Sequence, residues 1–294
     1  MRGIVVVIIV AILGFLAWAF YGKCDGKLPC TYDKVFPPTT PAEPPPITPP
    51  PVTPPPVTPP PAEPPPVTPP PEPPPVEPPL KDPNGATFLY EPPGELLANS
   101  GDGVKSDTIY APGMRFPIEV APAYPNSQVY GHGGGSGPGG GQCDVENYSY
   151  PWRDDFCEKR SWDTPICPSA KGHQGQDIRP STCKKGVHWA VAAEAGQITN
   201  IGSFTVTLTA DSGIRYRYLH MKMDQLAVAL GDKVSRGQHL GLVSNDFGGA
   251  ATTIHLHFEI KTTVALPDGT SQIHFAPPYA SLVDSYKRLL KGAP

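Results

Sequence analysis

The distribution of apolar and polar positions changes character along this chain. Residues 4–21 form an almost uninterrupted apolar run behind Arg2, and roughly 18 such residues just suffice to span a bilayer as a helix. A transmembrane anchor is therefore predicted over residues 1–22, with Trp18 and Tyr21 near its far edge, where amphipathic aromatics favour the interface. Ala17-Trp18-Ala19 has the small-residue spacing that a signal peptidase accepts, so a cleaved signal is the alternative. After a juxtamembrane segment, residues 23–36, residues 37–80 repeat Pro-Pro-Pro followed by Val, Ile or Ala and then Thr or Glu. Such a segment holds too little apolar surface to collapse. It is read as a disordered, polyproline-II linker with a reach on the order of 140 Å. Residues 81–110 are polar and punctuated by Pro92-Pro93-Gly94 and Gly101-Asp102-Gly103, an irregular lead-in.

From residue 111 the pattern becomes one of short alternating runs. Residues 205–209 and 214–218 are rich in Val, Ile, Thr and Tyr between glycine turns, which predicts antiparallel strands. Ile254, Leu256, Phe258 and Ile260 form one face of a further strand, with Thr253, His255, His257 and Glu259 on the other. By the same alternation Ile214, Tyr216, Tyr218 and His220 share a side. Pro277-Pro278 introduces a helix over residues 278–292, in which Leu282, Tyr286, Leu289 and Leu290 share a face and Gly292 marks the stop. A mainly β domain is expected over residues 111–285.

Composition narrows the choices. The 43 prolines and 30 glycines make up about a quarter of the 294 residues, so one compact domain is expected rather than two. A net charge of -4 offers no basic stripe, and no helix-turn-helix or finger spacing occurs, which excludes a nucleic-acid partner. Six cysteines without Cys-x-x-Cys spacing favour disulfides in an oxidising compartment. Cys24 and Cys30 can pair locally, while Cys143, Cys157, Cys167 and Cys183 allow three connectivities. Lys23 before Cys24 argues against a lipoprotein.

The candidate chemistry lies in His173, Asp177, His220, His255 and His257. Residues two or four apart on an extended segment point the same way, so two short segments can present four converging ligands. Imidazole nitrogen and carboxylate oxygen suit zinc, whose catalytic sites take three protein ligands and keep a position open. Two histidines then remain for acid/base work. Gly175 between His173 and Asp177 permits close backbone approach. No His-Glu-x-x-His helix and no Gly-x-Ser-x-Gly elbow is present, which disfavours those alternative hydrolases. Glu259 is assigned a supporting role. His132, His188, His239 and His274 are read as solvated or structural.

His173-Gln174-Gly175-Gln176-Asp177, Tyr218-Leu219-His220 and His255-Leu256-His257-Phe258-Glu259 together resemble the motifs of the lysostaphin-type (LytM-like) zinc metallopeptidases, in the same order. Residues 190–198 and 228–241 are similar to that family's intervening strands and glycine-punctuated hairpin region. The resemblance implies that Zn2+ is held by His173, Asp177 and His257, with His220 and His255 as the catalytic pair, either one as base. It implies a compact antiparallel β-sandwich/barrel hybrid with an open groove, built on a duplicated hybrid motif, and a strand at residues 127–131. The substrate would be the peptide part of peptidoglycan. An insertion near residues 132–171, holding Gly133-Gly134-Gly135, Gly139-Gly140-Gly141 and three cysteines, departs from the family spacing and is expected to form a disulfide-tied loop on the cleft rim. Ser244-Asn245 is a milder departure. With the apolar N-terminus, the expected location is the cell envelope, the chain anchored in the inner membrane and its C-terminal domain extracytoplasmic, or secreted after signal cleavage. The alternative is a non-catalytic envelope protein that binds the wall or activates a wall amidase.

Overall fold

The computed structural model describes residues 78–294. The expected anchor, the juxtamembrane segment, most of the linker and the Cys24–Cys30 pairing lie outside the described residues. Among the described residues no helix is long and apolar enough to cross a membrane.

Strand β10, Ala250–Ala265, organises the fold. It pairs antiparallel with β2 (Gln176–Arg179), β6 (Arg215–Leu219), β9 (His239–Phe247) and β11 (Ser271–Ala276). Beyond β6 the sheet continues through β5 (Thr205–Ala210) and β4 (Gly196–Ile201) to the short β8 (Lys233–Val234), and beyond β2 it ends at β1 (Tyr124–Pro125). Strands β3 (Trp189–Val191) and β7 (Met221–Leu226) flank β9. Every pairing among these strands is antiparallel, as the alternation predicts.

The sheet does not close into the barrel part of the expected hybrid. Its main path ends at the two-residue strands β1 and β8, and Pro125 in β1 has no N–H with which to carry the ladder further. The two strand groups are joined instead through β10, whose register shifts between Ala251 and His255, letting one long strand serve β9 at its start and β2 and β6 further on. Nor do residues 127–131 form a strand. The Ser127 hydroxyl accepts from the N–H groups of Val129 and Tyr130 at 3.1 and 2.8 Å, a local turn that competes with a ladder.

The alternation of β10 and β6 sets the core. Leu256, Phe258, Ile260, Tyr216 and Tyr218 are fully buried, as are Ile178, Val206 and Leu208 on the adjoining strands; burying each large apolar side chain stabilises by about 1.5–3 kcal/mol. Helix α1, Tyr279–Leu290, closes the other end of the core with Leu282, Val283 and Tyr286, and the N–H of Gly292 donates to the Leu289 carbonyl where the helix stops. Trp152 lies 4.3 Å from the Tyr286 ring centroid and 4.8 Å from that of Phe88. Phe88 thus ties the irregular residues 81–110 to this aromatic cluster. Among the described residues the cysteines pair as Cys143–Cys183 and Cys157–Cys167; the first ties the end of the glycine-rich loop to the segment after β2, and the second closes a short loop before β2.

Candidate metal centre

The register of β10 assembles the site. His257 is opposite Asp177 of β2 on one side and Leu219 of β6 on the other, and paired residues share a sheet face. Asp177, His257 and the end of β6 therefore lie in one row. Gly175 lets the preceding segment cross close behind: a Cβ there would sit 2.5 Å from the Phe258 carbonyl oxygen and 2.7 Å from His257 Nε2. His173 so arrives with its Nε2 3.3 Å from Asp177 Oδ1 and 2.9 Å from His257 Nδ1, and that nitrogen is itself 2.9 Å from Asp177 Oδ1. All three side chains are buried.

Each ring is oriented by its other nitrogen. His173 Nδ1 donates to the Asp155 carbonyl at 3.0 Å, and His257 Nε2 donates to Glu259 Oε1 at 3.0 Å. The atoms left facing one another are two imidazole lone pairs and a carboxylate oxygen. Such a trio repels itself unless a cation sits among its members. Ligands of a tetrahedral zinc at about 2.0–2.1 Å lie about 3.3 Å apart, close to the separations found, and the three groups form a cluster fit for a metal ion. The donor chemistry fits zinc, and His173, Asp177 and His257 would hold it.

Electrostatics agree with the crowding. Burial acts to lower the His173 pKa, yet the Asp177 and Asp155 carboxylates outweigh it and raise it well above 6.5. Burial opposes ionisation of Asp177, but the neighbouring His173 and His255 hold it well below the carboxylate range. Without metal, a proton on His173 takes the cation's place.

The other two expected residues complete the row. His255 lies on the same side of β10 as His257, with Nε2 3.4 Å from Asp177 Oδ1, and its Nδ1 donates to the Thr253 carbonyl at 2.8 Å. His220 needed a different device. Simple alternation puts it with Tyr216 and Tyr218 on the core side, but its φ of 66° breaks the alternation where the chain passes from β6 to β7, and the ring lines the cleft. Its Nδ1 donates to the Asp246 carbonyl at 2.8 Å, leaving Nε2 free, and its ring centroid is 4.7 Å from that of His255. Burial, followed by the charges of His255 and His257, pushes its pKa down to about 3, so His220 is a neutral imidazole.

All five residues line one cavity of about 450 Å³. Phe204 and Phe247 wall it beside His220, with ring centroids 5.9 and 5.4 Å from the imidazole, and Gln128, Val129, Arg160 and Trp162 from the loops before β2 also line it. His132, His188, His239 and His274 do not line it. His188 instead bonds Thr182 Oγ1 at 2.6 Å, and His239 bonds Glu119 at 2.7 Å while stacking on Trp189.

Two supporting residues escaped the sequence reading. Asp155 accepts from the Asp177 backbone N–H at 3.2 and 3.3 Å while its carbonyl orients His173; Arg217 clamps Glu259 at 2.6 Å behind His257. Asp155 falls inside the insertion, and nothing in the spacing links it to residue 173.

The fold and site thus define a mainly antiparallel β protein with a buried His-Asp-His group able to hold a metal ion in an open cleft. Residues 171–270 match the profile of peptidase family M23. Among solved structures, the catalytic domain of the antimicrobial peptidase lysostaphin from Staphylococcus simulans is 21% identical, over 39% of this chain and 81% of that one, with a TM-score of 0.30. A zinc containing peptidase from Vibrio cholerae is 25% identical over 35% and 29% of the two chains, with a TM-score of 0.25. A mutant catalytic domain of the prophage-encoded M23 protein EnpA from Enterococcus faecalis is 20% identical over 45% and 95%, with a TM-score of 0.29. No curated protein sequence matches the chain.

Proposed function

We propose that this chain is a zinc-dependent endopeptidase that hydrolyses peptide crosslinks or stem peptides of bacterial peptidoglycan. The observation that carries the reading is the convergence of His173, Asp177 and His257 beside the imidazoles of His220 and His255, inside the segment that matches the peptidase family. Zinc, when bound, supplies Lewis-acid activation of water and of the scissile carbonyl. The open groove beside β10 accepts an extended peptide. His220 and His255, each with Nδ1 occupied by a carbonyl, present Nε2 to the cleft: one takes the proton of the attacking water and the other stabilises the oxyanion or protonates the leaving amine. Glu259, held by Arg217, keeps the Nδ1 lone pair of His257 directed at the metal position.

The same proposal places the catalytic domain outside the cytoplasm, held to the inner membrane by residues 1–22 and spaced from it by residues 37–80. Support comes from the apolar N-terminus and from the two disulfides, which belong in an oxidising compartment.

The test is metal analysis of the purified protein together with digestion of purified walls, comparing wild type with His257→Ala and His220→Ala. The first variant loses zinc and activity. The second keeps zinc but loses about 10²–10⁴-fold in turnover. Equal digestion by all three rejects the mechanism; wall binding without digestion, insensitive to metal, favours a non-catalytic binder.

A further inference from the structure

The groove does not end at the metal cluster. Positions 257, 259 and 261 of β10 alternate onto one face, and their cross-strand partners on β6 are Leu219, Arg217 and Arg215. Arg217 lines both the metal-site cleft and a second cavity of about 430 Å³ further along the sheet, which Arg215, Lys261, Thr207, Thr209 and Phe275 also line. Lys261 lies four residues beyond His257, about 13 Å along the strand.

Of these three cations only Arg217 has a carboxylate partner; Arg215 and Lys261 have none within ion-pair distance among the described residues. No carboxylate lines the second cavity, and Glu259, at its border, is already engaged by Arg217 at 2.6 Å and His257 at 3.0 Å. Lys261 and Arg215 are directly opposed across two paired strands, an arrangement of like charges that destabilises a sheet. Burial, and then the charges of Arg215 and Arg217, lower the Lys261 pKa. Lys261 Nζ and the Arg217 guanidinium both stand over the Phe275 ring, 4.9 and 5.8 Å from its centroid. All this occurs in a chain of net charge -4, so the positive patch is a local feature. A solvated strand face has no need of a cavity whose cations repel one another, whereas an anionic ligand removes the repulsion and takes hydrogen bonds from the threonine hydroxyls.

We propose that Arg215, Arg217 and Lys261 form a carboxylate-binding subsite of the peptide groove, which selects substrates carrying a free carboxylate about four residues from the scissile bond. The inference rests on the peptidase reading for the direction of the groove. The chemistry of the subsite is a carboxylate on an extended peptide, because the cavity continues the same sheet face along which such a peptide would lie.

The experiment uses the full, zinc-loaded chain and two probes: a crosslinked peptide dimer from peptidoglycan with its carboxylates free, and the same dimer with those carboxylates amidated. Arg215→Gln and Lys261→Gln are the variants, since Arg217 also holds Glu259. For the free-carboxylate dimer each is expected to raise KM about tenfold with kcat within about twofold of wild type, and for the amidated dimer to change neither. Because each variant removes one of two opposed like charges, its Tm should equal or exceed that of wild type, which separates lost recognition from misfolding. Equal KM values for the two dimers in wild type, or a matching loss on both in the variants, overturns the subsite. If wild type cleaves neither dimer, the peptidase reading fails. Calorimetric binding of the same two probes then decides the subsite alone: a wild-type preference for the free-carboxylate dimer that the variants lose upholds it, and no such preference rejects it.

Discussion

Gly175→Ala tests how the metal site is packed. A Cβ at this position would meet the Phe258 carbonyl oxygen at 2.5 Å, His257 Nε2 at 2.7 Å and Glu259 Cγ at 2.9 Å, where ordinary contacts begin near about 3.4 Å. Each gap must open by about 0.5–1 Å, and none of the three groups is a free end. Phe258 is paired on both sides, with Gln176 and Tyr218, while His257 Nε2 and Glu259 are bonded to each other. Overpacking of this kind costs about 1–3 kcal/mol, which lowers Tm by about 2–4 °C per kcal/mol in a domain of this size. Because the displaced imidazole is a proposed ligand held by a supporting hydrogen bond, zinc affinity should also fall about 10–100-fold. Calorimetric melting of metal-loaded and chelator-treated protein reads the first effect, and competition with a zinc-binding dye reads the second. Gly139→Ala is the control, as nothing lies within 4 Å of its added Cβ. A Gly175→Ala protein with the Tm and zinc affinity of wild type would refute the packing argument.

Other outcomes follow from the same geometry. The Cys143–Cys183 disulfide closes a 40-residue separation and Cys157–Cys167 one of 10, so replacing each pair by serine should destabilise by about 4 and about 3 kcal/mol respectively; denaturant melts showing the reverse order, or no loss, would contradict the chain-entropy account. Zinc must displace the proton that Asp177 and Asp155 hold on His173. Affinity should therefore weaken as pH falls, beginning above the ordinary histidine value of 6.5, and titrations at several pH values showing a midpoint at or below 6.5 would contradict this. Shortening residues 37–80 to a few repeats should impair wall cleavage in cells while leaving the purified protein's activity intact, and unchanged cellular cleavage would reject the spacer role.

Much of the site was legible because a strand's period of two is strict. The alternation at residues 253–260 correctly separated the buried Leu256, Phe258 and Ile260 from the cleft-facing His255, His257 and Glu259. The spacing of His173 and Asp177 around Gly175 likewise announced a close approach, now seen as backbone crossing directly behind His257. Strand positions at 205–209 and 214–218 were readable to within a residue or so. Pairing partners were not, since nothing local states that β10 takes β2 on one side and β6 on the other.

What escaped the sequence depends on single backbone angles and on distant contacts. Extrapolating the alternation from Tyr216 and Tyr218 carries His220 to the core side. One residue with φ of 66° reverses that assignment at the point where the chain leaves β6, paired with β5 and β10, and enters β7, paired with β9. A non-glycine residue in this conformation costs about 1–3 kcal/mol, and the backbone bonds from His220 N to Phe204 O and from Ser244 N to His220 O hold it there. The strain is thus located at the imidazole assigned to proton transfer, and the hinge that changes strand partners is also the hinge that aims the ring. His220→Gly would relieve the angle yet remove the imidazole, whereas His220→Asn keeps a side chain tolerant of positive φ. If the fold needs the angle more than the ring, His220→Asn should melt at or near the wild-type temperature, retain zinc and be inactive; a Tm loss as large as that of His220→Val, whose branched side chain resists positive φ, would show instead that the imidazole's own contacts hold the turn.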